Sequence, residues 1–300
     1  MGYCLLIDRY GRIVSGFRIS ITSKCNYNCF FCHREGVDNT EFELKSSDWG
    51  FLASVGVELG ILEYKLTGGE PLLRNDIVDI AREIWLSGGT VSLTTNGSLL
   101  SFYASKLVDY VDHVNVSLHS LDPRTYYDLT RGKLENVLVG LDVAKNVGLK
   151  IKINYVVTSI NIHEFLNFIG FVEKHGFDLN IIELIPLGLS REDWLSLHAD
   201  LNNIENFLKN ASVEVFNREL HNRVVFKLRS GIVVSLIKGY CNPIHCLHCT
   251  RLRVTPDGRF KTCLYLDKYI NARKNIIERN RRGLVEDILN AVLIREPYFR

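Results

Sequence analysis

The chain has 300 residues, 46% of them hydrophobic, and 36 Lys and Arg against 34 Asp and Glu leave a formal charge of +2. That is enough to bury a full core, as one large α/β domain or one domain with an appendage. The charge balance excludes general electrostatic attraction to nucleic acid or an acidic membrane as the main means of recognition, so an anionic ligand would be held by local clusters. Met1 to Ile13 carries Asp8, Arg9 and Arg12 and lacks the apolar run of a signal peptide. Met1-Gly2 is followed by Leu5 and Leu6 where a myristoylation motif wants Ser or Thr, and no later stretch reaches membrane-span length. The expectation is a cytoplasmic protein.

In chain order, six short β-branched or apolar runs are each followed by a longer stretch with helical spacing. The runs are Gly16 to Thr22, Ile61 to Leu66, Thr90 to Thr95, Val111 to Leu118, Leu149 to Val156 and Leu179 to Leu184. Helices are predicted over Ser46 to Gly60, Asn75 to Ser87, Ser101 to Tyr110, Leu134 to Val147 and His163 to His175, where apolar residues recur every three or four positions. Right-handed crossovers would curl six such βα units into a partial barrel, with functional residues at the strand C-termini. After Pro186 the pattern changes to a helix near Arg191 to Asn210, β-like runs at Val213 to Phe216, Val224 to Leu228 and Ile232 to Ile237, and a basic helix around Arg279 to Arg282. The division falls at 1–190 and 191–300.

Eight cysteines in a chain expected to be cytoplasmic read as metal ligands before disulfides. Cys25, Cys29 and Cys32 follow the first strand with the spacing CxxxCxxC. Three thiolates on one loop can hold three corners of a [4Fe–4S] cluster and leave one iron open for chemistry; the bland alternative is a zinc site completed by His33 or Cys4. Cys246, Cys249 and Cys263 form a second group around the turn Thr255-Pro256-Asp257-Gly258, which should bring Cys263 back beside the CxxC. Here a zinc ribbon with Cys241, or a knuckle using His245 or His248, stands level with a second cluster. Arg251 and Arg253, projecting one way from a strand, suit a phosphate or carboxylate ligand. Arg18, Lys65 and Lys152 each lie inside an apolar strand, where a charge needs a partner.

The CxxxCxxC loop with Phe31 before its last cysteine resembles the signature of the radical S-adenosylmethionine superfamily, and Thr67-Gly68-Gly69-Glu70-Pro71 at the end of strand two resembles the motif that receives the amino group of that cofactor. The CxxC, the thirteen residues before Cys263 and the intervening Arg-Leu-Arg resemble the MoaA family of GTP 3′,8-cyclases, over nearly the whole chain. The resemblance implies a partial (β/α)6 TIM-like barrel with a C-terminal extension of β-strands and helix carrying a second Fe–S cluster. It implies two [4Fe–4S] clusters on the two cysteine triplets, and S-adenosylmethionine touched by Phe31, Gly69, Ser117 and Ile185. GTP would be held by Arg18, Lys65, Thr94, Lys152, Arg251, Leu252 and Arg253, with no protein catalytic residue because a 5′-deoxyadenosyl radical carries the chemistry.

It further implies a reductant protein and a downstream pterin-forming enzyme as partners, allows for a homodimer, and calls for neither membrane nor nucleic acid. The chain departs from the family at Thr250, where Asn is common, at His119, where Asp is common, at Asn180, where Arg is common, and in ending REPYFR rather than Gly-Gly. Two rivals predict different behaviour: a radical enzyme that modifies a peptide, and a zinc-ribbon protein that binds nucleic acid through Arg251, Arg253 and the terminal basic helix.

Overall fold

The computed structural model describes residues 6–37, 39–218 and 220–298; Met1-Gly2, Cys4 and the final Phe299-Arg300 lie outside them. Strands β1 (Gly16–Ser20), β2 (Glu63–Thr67), β3 (Thr90–Thr95), β4 (His113–Ser117), β5 (Ile151–Val157) and β6 (Asp178–Glu183) pair in parallel in chain order. Between them run α1 (Ser46–Glu58), α2 (Ile77–Leu86), α3 (Leu100–Leu107), α4 (Pro123–Thr130) and α5 (Leu134–Asn146), with α6 (Phe165–His175) connecting β5 to β6. Period-two alternation sorts each strand. Phe17, Ile19, Tyr64, Leu66, Val91, Leu93, Val114, Val116, Ile153 and Leu179 are buried in the hydrophobic core, while the intervening Arg18, Lys65, Thr94, Asn115, Asn154 and Asn180 line an internal cavity.

The last third extends this sheet at both edges. After α7 (Arg191–Leu197) and α8 (Asn202–Ala211), β7 (Ser212–Arg218) and β8 (Arg223–Leu228) form a hairpin leading to β9 (Val233–Ile237), which pairs in parallel with β6. The chain then passes through α9 (Pro243–Leu247) to β10 (Arg251–Val254), which pairs in parallel with β1, and on through β11 (Arg259–Lys261) and β12 (Tyr269–Asn271) to α10 (Arg273–Ile277) and α11 (Arg281–Leu293). The twelve strands run β12-β11-β10-β1-β2-β3-β4-β5-β6-β9-β8-β7. The connection between β7 and β8 packs on α9: the rings of His221, just before β8, and His245, on α9, stack 3.8 Å apart, and His221 N donates to His248 O at 2.9 Å. This is the expected partial barrel of six βα units, with the C-terminal extension closing its open side.

Two expectations change. The helix expected over Arg191 to Asn210 is two helices, because the Asp200 carboxylate accepts from Asn202 N at 2.8 Å and restarts the chain in a new direction. The sequence reading also passed over α4, although Asp122-Pro123 is a helix start: the Asp122 side chain accepts from Thr125 N at 2.7 Å and proline occupies the first turn. Among the described residues no helix is long and apolar enough to cross a membrane.

Candidate active site

The first cysteine loop leaves β1 and is propped on the end of α4: Asn28 N and Phe30 N donate to the carbonyls of Thr130 and Leu129 at 3.0 and 3.4 Å. Beneath it passes the Gly68-Gly69 turn. Gly69 N donates to Thr22 O at 2.9 Å and Glu70 N to Lys24 O at 2.7 Å; a Cβ on Gly69 would stand 2.1 Å from Lys24 O. The glycines are therefore required by contact with the cysteine loop itself, whatever else they touch. Glu70 is buried and accepts from Leu72 N, Thr95 Oγ1 and Asn96 N at 2.9, 2.7 and 2.7 Å. Burial raises its pKa to about 7 against these bonds.

Cys25, Cys29 and Cys32 all face the cavity, whose volume is about 400 Å³, within the range of small-molecule sites. Burial, then the neighbouring thiols, push Cys29 up to about 12. Three thiols that open onto one cavity, with Cys25 and Cys32 exposed and Cys29 half-buried, form a donor set suited to a multivalent metal centre. Phe31, Gly69, Ser117 and Ile185 line the same cavity.

The second triplet lies across the closing seam. Cys246 sits on α9, Cys249 just beyond it and Cys263 after β11, returned by the expected hairpin, and all three line the cavity. Cys241 is exposed, outside the cavity wall, with φ at +47°, so the described residues do not form a four-cysteine ribbon with it. His245 is engaged with His221, and His248 is exposed, its Nδ1 2.9 Å from Ile244 O. Among the described residues no three His, Cys, Asp or Glu side chains converge tightly enough to hold one metal ion. Each triplet nevertheless supplies three thiols to one cavity, and on that donor chemistry both fit a polynuclear cluster.

Between the triplets stands a cationic wall. Arg18, Lys65, Arg223, Arg251 and Arg253 line the cavity, and among the described residues Lys65, Arg223 and Arg251 form no ion pair. Burial, then Arg251, Arg18, Arg223 and Lys152, hold the Lys65 ammonium well below the usual lysine range. Glu35, absent from the sequence-derived set, interrupts this wall. It accepts from Arg18 Nε at 2.7 Å, Arg18 Nη2 at 2.5 Å, Arg253 Nη1 at 2.6 Å and Thr67 Oγ1 at 3.2 Å. Despite burial, Arg18 and Arg253 keep its carboxyl well below the usual range.

Glu35 reaches that position from a turn with three successive positive φ values, at Arg34, Glu35 and Gly36 (+46°, +54° and +64°). The turn is held from the far side, where Lys261 Nζ donates to Gly36 O at 2.5 Å and a Cβ on Gly36 would meet Leu264 O at 2.5 Å. It thus spans from Cys32 to the residue after Cys263.

Of the other sequence-derived residues, Thr94 lines the cavity, whereas Lys152 and Leu252 do not. Leu252 is in the core beside Phe17, pointing away as strand alternation demands between Arg251 and Arg253. Lys152 lies deeper in the barrel, with Nζ donating to Ser235 Oγ at 3.3 Å, close enough to Lys65 to disfavour its charge. The three departures within the chain are all engaged. Asn180 Nδ2 donates to Asn154 Oδ1 at 2.7 Å, His119 Nδ1 accepts from Val156 N at 3.2 Å while its ring meets Phe31 edge-on, and Thr250 O accepts from Ser15 N at 3.0 Å. Glu296 and Tyr298, in the terminal stretch, also reach the cavity.

The family model described as Radical SAM superfamily matches residues 19–172, and that described as Molybdenum Cofactor Synthesis C matches residues 177–300. A protein of Metallosphaera sedula named Probable GTP 3′,8-cyclase is 41% identical, covering 98% of this chain and 97% of its own length. One of the same name from Pyrobaculum aerophilum is 37% identical over 99% of this chain and 98% of its own length. Among solved structures, Streptococcus suis SuiB bound to the precursor peptide SuiA superposes with a TM-score of 0.70, covering 97% of this chain and 67% of that one, and anSMEcpe with bound AdoMet with a TM-score of 0.63, covering 92% and 81%. These two are 14% and 18% identical to this chain, a likeness of fold alone.

Proposed function

The chain belongs to the radical SAM superfamily and to the GTP 3′,8-cyclase family within it, and from that membership we propose that it converts GTP to (8S)-3′,8-cyclo-7,8-dihydroguanosine 5′-triphosphate, the first step of molybdenum cofactor biosynthesis. One observation carries the reading: two cysteine triplets and a wall of cations with too few carboxylates open onto one cavity. A nucleoside triphosphate supplies the missing anion.

In this reading Cys25, Cys29 and Cys32 hold the [4Fe–4S] cluster of the radical SAM domain, and Cys246, Cys249 and Cys263 hold a second. When bound, the first cluster and S-adenosylmethionine supply the hydrogen-abstracting adenosyl radical. The chain's own residues bind, orient and exclude water. Phe31, Gly69, Ser117 and Ile185 flank S-adenosylmethionine; Arg18, Lys65, Thr94, Arg251 and Arg253 hold GTP, with Lys152 adding positive charge from below and Leu252 contributing only backbone. The guanidinium groups of Arg251 and Arg253, fixed on β10 beside the second triplet, set where the triphosphate ends and hence where the ribose lies relative to the first. A reductant protein and a downstream pterin-forming enzyme complete the sequence.

The test is an anaerobic assay of reconstituted protein with S-adenosylmethionine, a reductant and GTP, read by mass spectrometry. Cyclised GTP together with 5′-deoxyadenosine is expected. Deoxyadenosine with unchanged GTP would overturn the substrate, and bound zinc with neither product would overturn the reading altogether.

A further inference from the structure

The two ends of the described chain meet behind the second cysteine triplet. In the N-terminal turn, Asp8 Oδ1 accepts from Tyr10 N and Arg12 N at 2.9 and 3.0 Å. Its other oxygen lies 2.8 Å from Arg12 Nε and 3.3 Å from Arg295 Nη1, the latter arriving from beyond α11. Each guanidinium then grips the CxxC backbone: Arg12 Nη1 donates to Cys246 O at 3.1 Å and Arg295 Nη2 to Cys249 O at 2.7 Å. Ser15 N and Gly16 N take the next carbonyl, Thr250 O, at 3.0 and 3.3 Å.

This clasp is buried. Asp8, Arg12 and Arg295 are 5%, 7% and 1% exposed, so two guanidinium groups share one carboxylate with little access to water, Arg12 forming part of the cavity wall. Arg12 Nη2, Arg295 Nε and Arg295 Nη1 are buried without a hydrogen-bond partner among the described residues. A buried excess cation with unused N–H groups is costly unless an anion stands nearby. The hydrogen bonds to the Cys246 and Cys249 carbonyls put this excess charge directly behind two of the three ligands proposed for the second cluster. A [4Fe–4S] core held by three thiolates carries a net negative charge, which increases on reduction.

We infer that Arg12, Asp8 and Arg295 form a positioning and charge-tuning clasp for the second cluster, fixing its CxxC loop and placing one uncompensated positive charge beside it to raise its reduction potential. The inference rests on the reading that Cys246, Cys249 and Cys263 hold a cluster. Its physical content is a sign. Charge near a cluster moves its potential, a cation stabilising the reduced, more negative state. Removing a guanidinium must shift the potential one way and removing the carboxylate the other.

The test is an EPR-monitored potentiometric titration of the full-length, anaerobically reconstituted protein, with the second site's signal taken as the difference from the Cys249→Ala protein. Iron and sulfide are assayed alongside. Arg295→Gln is expected to lower the midpoint potential, Asp8→Asn to raise it and Arg295→Lys to keep it near wild type. Should Arg295→Gln fail to retain the cluster, the upward shift in Asp8→Asn still carries the test. Shifts of both charge-changing variants in one direction, or potentials equal to wild type with full iron, would overturn the inference. Wild-type protein with iron for one cluster only would overturn the reading beneath it, and the inference with it.

Discussion

Around Cys25, Cys29 and Cys32 burial and neighbouring negative groups disfavour the thiolates, with Glu70 and Cys32 acting on Cys25, and Cys32 and Cys25 on Cys29. Around Cys249 burial acts the same way, yet Arg295, the Arg251 backbone N–H, and the Arg251 and Arg253 guanidinium groups outweigh it and bring that thiol below its ordinary value. The two triplets share a cavity and differ in what surrounds them. The first is fixed by backbone bonds to the Gly68-Gly69 turn and α4, leaving its other face open to the cavity; the second is set among arginines, some gripping its loop and others facing the cavity. The difference teaches that cysteine spacing marks both triplets as donor sets alike, whereas the charges around them set the two apart.

The largest expected effect separates the triplets outright. On the proposed reading, Cys29→Ala should reduce 5′-deoxyadenosine formation to background, because the first site would lose a ligand needed to hold the cluster that cleaves S-adenosylmethionine. Cys249→Ala should keep measurable, uncoupled deoxyadenosine formation and lose the cyclised nucleotide. Equal loss of both products in the two variants, in an anaerobic turnover assay with iron quantified, would break the division of labour.

Next comes the strut between them. Glu35→Gln removes the charge that holds Arg18 and Arg253 in register while leaving every cysteine in place. Cyclised product per deoxyadenosine should fall roughly ten- to a hundredfold, the cost of misplacing a bound reactant, with iron content unchanged. An unchanged ratio would reduce Glu35 to a core ion pair. Arg251→Ala and Arg253→Ala should each weaken GTP binding by roughly 10- to 100-fold, the worth of one or two charge-assisted hydrogen bonds. Anaerobic equilibrium dialysis reads this, and normal binding in both would remove them from the site.

Much of this was legible in sequence because it is local. CxxxCxxC, Gly68-Gly69-Glu70-Pro71 and the Arg251/Arg253 pair each lie within a few residues, and Arg18, Lys65 and Thr94, which the family resemblance named, line the cavity. What escaped depends on distant partners. Glu35 meets Arg253 across 218 positions and Arg12 meets the Cys246 carbonyl across 234, separations at which one sequence carries no pairing signal. Strand register also explains why two of the named residues stand back from the cavity wall, since Leu252 had to point into the core once its neighbours faced the cavity, and Lys152 sits one alternation below Asn154.

Lys152 provides the smallest effect. Burial, then Arg218, lowers its pKa to about 8, from an ordinary 10.5. The sign follows from that depression: the stability linked to Lys152 is complete above about pH 10.5 and is lost as pH falls through 8, where the buried amine must carry a charge. Lys152→Met should therefore stabilise the free protein near pH 7 and lose most of that advantage by pH 10, as urea denaturation can measure. A bound triphosphate reverses the balance by favouring the ammonium form, so GTP binding at pH 9 should take up protons. Calorimetry in buffers of different ionisation enthalpy should find up to about one proton fewer for Lys152→Met, as linkage requires of a group whose charge follows the ligand. Identical uptake in the two proteins would mean that the triphosphate ends at the cavity wall and that the positive charge behind it serves only the barrel floor.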